Sequence, residues 1–202
     1  MMRKGRPPAI PVAERKELVF KAAERLFASN GYEKVRMIDI AESSGMAKKT
    51  LYVLFKDKEA LLTELIGSSY VWSEVDFGSE RPDPVEELHA RLRAVIAHVL
   101  SPRHVTLCRL AISESLAING IAETFQELGF VRSRRSLIAT IEKIPPRRMR
   151  CDLPADILSG MLYGATCAHR LMGALLTGQA PDLHAANRDA ELVMARLFKA
   201  PE

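Results

Sequence analysis

Met37-Ile38-Asp39-Ile40-Ala41-Glu42-Ser43-Ser44-Gly45-Met46-Ala47-Lys48-Lys49-Thr50-Leu51-Tyr52-Val53-Leu54-Phe55 carries the most informative pattern in the chain. Apolar residues recur at helical spacing on both sides of one glycine: Met37, Ile40 and Ala41 before it, Leu51 and Leu54 after it. Two short helices that cross steeply through a turn of three or four residues need a small residue where they touch. They also need glycine in the turn and apolar residues at fixed offsets. Ala41 is that small residue, Gly45 follows four positions later, and Ile40, Met46, Leu51 and Leu54 supply the apolar contacts. Lys48, Lys49, Thr50 and Tyr52 then point away from the core. The spacing predicts a helix-turn-helix with its second helix running from about Lys48 to Phe55.

The helical period continues outward in both directions. Upstream, Val19, Ala22, Ala23, Leu26 and Phe27 form one apolar stripe, and Asn30-Gly31 stops it. Downstream, Asp57 is placed to cap a helix carrying Leu61, Leu62, Leu65 and Ile66. A linker, Gly78-Ser79-Glu80-Arg81-Pro82, precedes Asp83-Pro84-Val85-Glu86, which reads as a cap, a proline at the first helical position and a carboxylate reaching back. Further helices follow: one with Leu88, Leu92, Val95, Ile96 and Val99, one opening at Ser101-Pro102, and one running from Gly120 to Ile144. The last two span about 153–177 and 182–198, after a basic loop at Arg147-Arg148-Met149-Arg150. About nine helices with short connections and no strand signal predict an all-α protein. Its expected division is an arm and three-helix DNA-binding domain over residues 1–57 and a helical ligand-binding and dimerisation domain over residues 58–202.

Charge is distributed unevenly along the 202 residues. Residues 1–58 hold 13 Lys/Arg against 7 Asp/Glu, whereas residues 59–202 hold 16 against 18. All of the positive excess lies in the first part, which suggests a polyanionic partner there. Hydrophobic residues make up 48% of the chain, enough for a real core, yet no run approaches the ~20 apolar residues of a membrane span. The basic start, Met1 to Pro8, is followed by no apolar signal segment. Cys108, Cys151 and Cys167 are odd in number and widely spaced, as for reduced thiols. The expectation is a soluble cytoplasmic protein at the nucleoid, with no membrane association and no cofactor. An enzyme is disfavoured: there is no nucleophile–base pattern, no phosphate-cradling glycine loop and no Glu-x-x-His pair of a di-metal bundle.

A helix beginning with Lys48, Lys49, Thr50 and Tyr52 can enter the major groove of duplex DNA, its first residues toward base edges. Lysines favour phosphate oxygens, and Tyr52 offers a hydroxyl and a ring. Lys58 is placed to touch the backbone. Arg3, Lys4 and Arg6 form an arm able to lie along the duplex or in its minor groove. The ordinary alternative for any single lysine is solvated surface charge. It is the ordered set around Ala41 and Gly45 that favours DNA.

The ordered set Ala22-Ala23-Glu24-Arg25-Leu26-Phe27, Gly31-Tyr32, Ile38-Asp39-Ile40-Ala41, Gly45 to Tyr52, Phe55 and Lys58-Glu59-Ala60-Leu61 resembles the N-terminal domain of TetR-type regulators over residues 14–65. The resemblance implies that the helix at 48–54 is the recognition helix and that Thr50, Tyr52 and Lys58 are DNA-contacting positions. It also implies a C-terminal domain that dimerises and binds an effector. Arg109-Leu110-Ala111-Ile112-Ser113-Glu114 is similar to the AefR-like C-terminal subgroup. Three positions depart from the family pattern. Arg36 stands where Thr or Ser is usual, so it cannot cap the second helix, but its guanidinium can pair with a phosphate. Ala47 replaces a capping Ser, a loss on the order of 1 kcal/mol. Lys49 stands where Gly is common and adds a long charged side chain at the groove.

A two-fold dimer is expected, because one helix-turn-helix reads only a few base pairs. The expected seam is the last two helices, through Gly160, Gly164, Ala168, Leu171, Leu175, Leu192 and Val193. Polar or soft groups among apolar neighbours mark candidate effector contacts: Trp72, His104, Cys108, Arg109, Tyr163, Cys167 and His169. Each also has a plain structural alternative as core or surface. No metal site is expected, because His104 and Cys108 share a helical face but lack further ligands. The combined expectation is a homodimeric repressor that binds an operator in double-stranded DNA and is relieved by a small-molecule effector.

Overall fold

Nine helices carry the residues that the computed structural model describes, 10–69 and 83–199 apart from the side chain of Phe130. They are α1 (Val12–Asn30), α2 (Met37–Ser44), α3 (Lys48–Leu54), α4 (Lys58–Ser68), α5 (Pro84–Val99), α6 (Pro102–Glu114), α7 (121–141), α8 (155–177) and α9 (Leu183–Leu197). Among the described residues there is no strand. One isolated antiparallel bridge joins Met149 to Phe198. The chain is all-α, with contacts dividing into two units, one ending at Leu65 and the other beginning at Ile66.

The first unit is built around the turn between α2 and α3. Gly45 has φ 69° and ψ 19°, the left-handed conformation that a Cβ disfavours. The Met46 amide donates to the Ala41 carbonyl at 2.9 Å and the Gly45 amide to the Glu42 carbonyl at 3.2 Å. This is the paired closure of a Schellman motif. Gly31 also has a positive φ, 79°, but its ψ of 153° is extended, so α1 ends without a left-handed helical residue. Val19, Phe20, Ala23, Phe27, Ile40, Ala41, Leu51, Phe55, Leu61 and Leu62 are all buried in this small core. Aromatic pairs brace it, with Phe20 5.5 Å from Phe55 and Phe27 5.2 Å from Tyr32 between ring centroids.

The second unit is a helical bundle in which α5 packs against both α7 and α9, and α8 against α6, α7 and α9. Leu88, Leu92, Val95 and Ile96 of α5 supply the centre of its core, facing Leu137, Ile141, Leu158, Leu162, Ala190 and Met194. Asp83, Ser101 and Asp182 cap α5, α6 and α9 by accepting from the amides of Val85, His104 and Ala185. Two stretches have wide π-helical turns, Gln126–Val131 within α7 and Gly164–Ala168 within α8. The residues expected as a basic loop are instead held in place. Pro146–Arg148 forms a 3-10 turn. The Arg148 guanidinium grips Asp83 at 3.0 Å, and the backbones of Arg148 and Arg150 pair with Lys199 and Leu197.

Candidate functional site

The helix α3 presents two opposite faces. At about 100° per residue, Leu51 lies across the helix from Lys49 and Val53. Leu51 is 0% exposed and is the buried residue of this helix, whereas Val53 is 78% and Tyr52 45% exposed. Lys48 and Lys49 are exposed and Thr50 is half-buried. The Lys48 ammonium lies 6.0 Å from the Tyr52 ring centre. Burial of one face therefore fixes a cationic, aromatic and methyl-bearing face toward solvent. Ala47 stands at the start of α3 and supplies no capping oxygen, as its side chain dictates. This segment, residues 19–65, matches the family model of bacterial regulatory proteins of the tetR family. Residues 19–65 form a TetR-family DNA-binding domain.

Similarity to individual proteins agrees with the family match. A segment of 49 residues is 43% identical to YerO of Bacillus subtilis (strain 168), an uncharacterized HTH-type transcriptional regulator. That match covers 24% of this chain and 17% of that protein. A solved structure from Mesorhizobium loti MAFF303099, assigned to the TetR family of transcriptional regulators, superposes with a TM-score of 0.77 at 22% identity, covering 93% of this chain and 96% of that one. A protein of Saccharomonospora viridis assigned as a transcriptional regulator, solved in complex with choline, gives a TM-score of 0.69 at 19% identity, covering 93% of this chain and 100% of that one. Both structural likenesses extend well beyond residues 19–65.

The flanks of the TetR-type domain are more tightly tied than their charge pattern suggests. Arg36 stands at the cap position just before α2, and its guanidinium cannot accept a hydrogen bond. Asp39 caps the helix instead. Its carboxylate accepts from the Arg36 backbone amide at 2.8 Å and from the Arg36 guanidinium at 2.9 and 3.2 Å. The side-chain hydrogen bond from Arg36 is the main cause holding the Asp39 carboxyl below its ordinary value. Asp39 is the residue that the sequence reading missed, and the signal was present: a carboxylate three positions after the cap. Lys58 donates to the carbonyl oxygens of Tyr32 at 2.9 Å and Glu33 at 3.4 Å, and lies 4.0 Å from the Tyr32 ring centre. It fastens the α1–α2 connection and is half-buried rather than a free surface charge. Lys4 and Arg6 lie outside the described residues.

In the second unit, the helices line a partly open cavity of about 100 Å³. His98 from α5, His104 from α6, Phe125 and Ser133 from α7, and Tyr163 and Leu171 from α8 form its walls. Of the candidate effector contacts, the structure brings His104 and Tyr163 to this cavity. Cys108 and Cys167 are buried close by, both thiols pushed up to about 11 chiefly by burial. Arg109 is engaged elsewhere: it is exposed and donates to the carbonyls of Ala174 and Leu175 at the last turn of α8. His169 is exposed, and Trp72 lies outside the described residues. The sequence reading passed over His98, Phe125 and Ser133, which come from helices distant along the chain. Among the described residues, no three His, Cys, Asp or Glu side chains are placed to hold a metal ion, and no helix is long and apolar enough to cross a membrane.

The candidate dimer residues divide into two sets. Leu171 and Val193 pack against the unit's own core, and Leu175 is half-buried. Gly160, Gly164, Ala168 and Leu192 are exposed, and a Cβ added at either glycine would meet open space. The small stripe is therefore not a close-packing device inside the protomer.

Burial also sets the charge of the two cavity histidines. Desolvation pushes His98 down to about 3, helped by His104 and Arg103, and pushes His104 down to about 4. Both imidazoles are thus harder to protonate in the folded chain than in the unfolded one. Stability is full above the ordinary imidazole value of 6.5 and falls as pH drops below it, where only the unfolded state takes up these protons. The loss is up to about 1.4 kcal/mol per pH unit for each histidine until the folded values are reached. Urea midpoints should therefore hold between about pH 8 and pH 7 and decline from about pH 6 to pH 4.5. His104→Phe should flatten that decline, and an unchanged slope in this variant would contradict the assignment.

Proposed function

We propose that this chain is a homodimeric, sequence-specific transcriptional repressor whose grip on an operator in double-stranded DNA is relieved by a small effector. In this reading residues 1–57 are the DNA head, with Lys4, Arg6, Arg36, Lys48, Lys49, Thr50, Tyr52 and Lys58 around the duplex, and residues 58–202 form the regulatory body. The observation that carries it is the two-faced α3, with Leu51 locked inside and Lys48, Lys49, Thr50 and Tyr52 outward or at the edge. Val53 joins them as an apolar side chain able to meet a thymine methyl. Arg36 and Lys58 act through what they hold, positioning α2 and the α1–α2 connection against the backbone.

Dimerisation is supported by the apolar surface of the last two helices. Ile157, Met161, Met172, Leu176 and Leu192 are exposed large apolar side chains on α8 and α9, beside the open Gly160 and Gly164. A surface of that kind on a charged chain reads as a contact between copies. Relief requires that an effector bind two arrangements of the dimer with different affinity. The cavity between α5, α6, α7 and α8 is a space suited to it, and the choline complex of the Saccharomonospora viridis protein supports small-molecule binding in this fold.

The test is a gel shift with fragments of the promoter region adjoining the protein's own gene. Specific binding that weakens steeply with added salt is the expected outcome. Thr50→Ala and Tyr52→Ala should each weaken operator binding by about 1–3 kcal/mol, roughly 5- to 150-fold. Both should remain dimers by light scattering at micromolar concentration. Full operator affinity in both variants would remove α3 as the reading helix, and a monomeric wild type would remove the dimer.

A further inference from the structure

We propose that the cavity lined by His98, His104, Phe125, Ser133 and Tyr163 takes a single small neutral aromatic molecule that carries a hydroxyl donor, a ligand of the phenol class. The inference rests on the effector reading above and narrows it to one chemistry. Size comes first. The cavity holds about 100 Å³, whereas an apolar cavity of roughly 150 Å³ accommodates benzene. One six-membered ring is therefore about what the inner space holds without movement of the helices, and a fused ring system exceeds it.

Wall chemistry comes second. The His98 and His104 rings meet edge-to-face at 4.7 Å, and the His104 and Phe125 rings are tilted at 5.5 Å. Tyr163 adds a further ring and Leu171 closes an apolar side. Rings set at such angles favour another ring at offset or edge contact. No carboxylate, lysine or arginine is among the lining residues. Burial keeps both imidazoles and the Tyr163 hydroxyl in their neutral forms at neutral pH. An anion entering here finds no cation on the cavity wall to pair with, and a cation finds no carboxylate, so either gives up its hydration without a direct counter-charge.

The polar handle comes third. The Ser133 hydroxyl is buried and donates to the Gly129 carbonyl at 2.6 Å. Its one proton is thereby committed, and its oxygen can only accept from a ligand. At this position a ligand O–H is matched, whereas an ether or carbonyl oxygen is not. Both walls that hold the ring also contain the wide helical turns: Gly129 lies within Gln126–Val131, and Tyr163 directly precedes Gly164–Ala168. Such turns recur at functional sites because they break the regular packing of a helix.

The test uses the full-length protein at about pH 7.5 with four probes: phenol, anisole, benzoate and choline. Phenol in the millimolar range should raise the melting temperature and shift the imidazole NMR signals of His98 and His104, assigned through His98→Gln and His104→Gln. Anisole should bind about fivefold more weakly, the loss of one hydrogen bond, and Ser133→Ala should reduce phenol to the level of anisole. Benzoate and choline should leave both readouts unmoved. Binding of benzoate or choline as tight as that of phenol overturns the inference, as does phenol binding that leaves both imidazole signals in place. Absence of phenol binding overturns it while operator binding stands. Phenol binding as described with no change in the operator gel shift supports the ligand class and instead removes effector relief.

Discussion

Leu51→Ala is expected to abolish operator binding at every sequence and to lower stability by about 2–5 kcal/mol. The reason lies in how little else holds α3. The helix has seven residues, no side-chain cap at Ala47, and Leu51 as its buried side chain. A helix that short does not persist by its own hydrogen bonds, because nucleation costs more than a few turns return. Its geometry is borrowed from the core through Leu51 and the adjoining Phe55, whose ring meets that of Phe20 at a tilt. Removing three carbons from a site with 0% exposure leaves a void in a unit too small to close around it. Leu51→Met conserves volume and should retain most of both properties. Lys49→Ala, on the opposite face, should weaken DNA binding with an unchanged urea midpoint. Wild-type operator affinity and urea midpoint in Leu51→Ala would show that α3 is not held by this contact.

The N-terminal unit was legible in the sequence because its punctuation is unambiguous. Gly31 and Gly45 sit where only a residue without Cβ is comfortable, and the apolar residues between them have one helical phase. The nine helices could be read for the same reason, since prolines and capping oxygens open α5, α6 and α9. What the pattern could not give were contacts between residues far apart in the chain. Lys58 reads as a surface charge until Tyr32 and Glu33 turn their carbonyls toward it. Arg147 to Arg150 read as a loose basic loop until Asp83 and the segment after α9 close on them. The wide turns in α7 and α8 leave almost no trace, because a single residue of slip over five positions is within the tolerance of a 3.6-residue stripe. The cavity was half visible. His104 and Tyr163 stand out as polar groups in apolar surroundings, but His98 closes α5 in a place that resembles any helix end, and only the packing of four helices brings it to them.

Arg148→Ala carries the second large effect, an expected loss of about 1–3 kcal/mol with the N-terminal unit unaltered. Its guanidinium and the Asp83 carboxylate are both largely shielded, with side chains 12% and 14% exposed. The same guanidinium donates through Nε to the Lys199 carbonyl at 2.9 Å. Asp83 meanwhile accepts from the Val85 amide at 2.9 Å, capping α5. One pair thus joins the start of α5, the α7–α8 connection and the segment that follows α9, where Met149 bridges Phe198. Truncating the arginine leaves a shielded carboxylate without its counter-charge, which costs more than the pair itself contributes. Arg148→Lys should recover only part of the loss, because an ammonium cannot reach both Asp83 and the Lys199 carbonyl as the planar fork does. Arg148→Met with Asp83→Asn should recover most of it, since Asn still caps the helix and no charge is left stranded. The pH dependence has a definite sign. Burial works against ionisation of Asp83, but the amide of Val85 and the guanidinium of Arg148 outweigh it and hold the carboxyl below 3.8. Its stabilising effect is therefore complete above that value and disappears as pH falls through the lower folded value. Urea midpoints for the four proteins at about pH 7 decide the matter: an Arg148→Ala midpoint equal to wild type, or a double variant no better than the single one, would mean that the pair does not hold these three segments together.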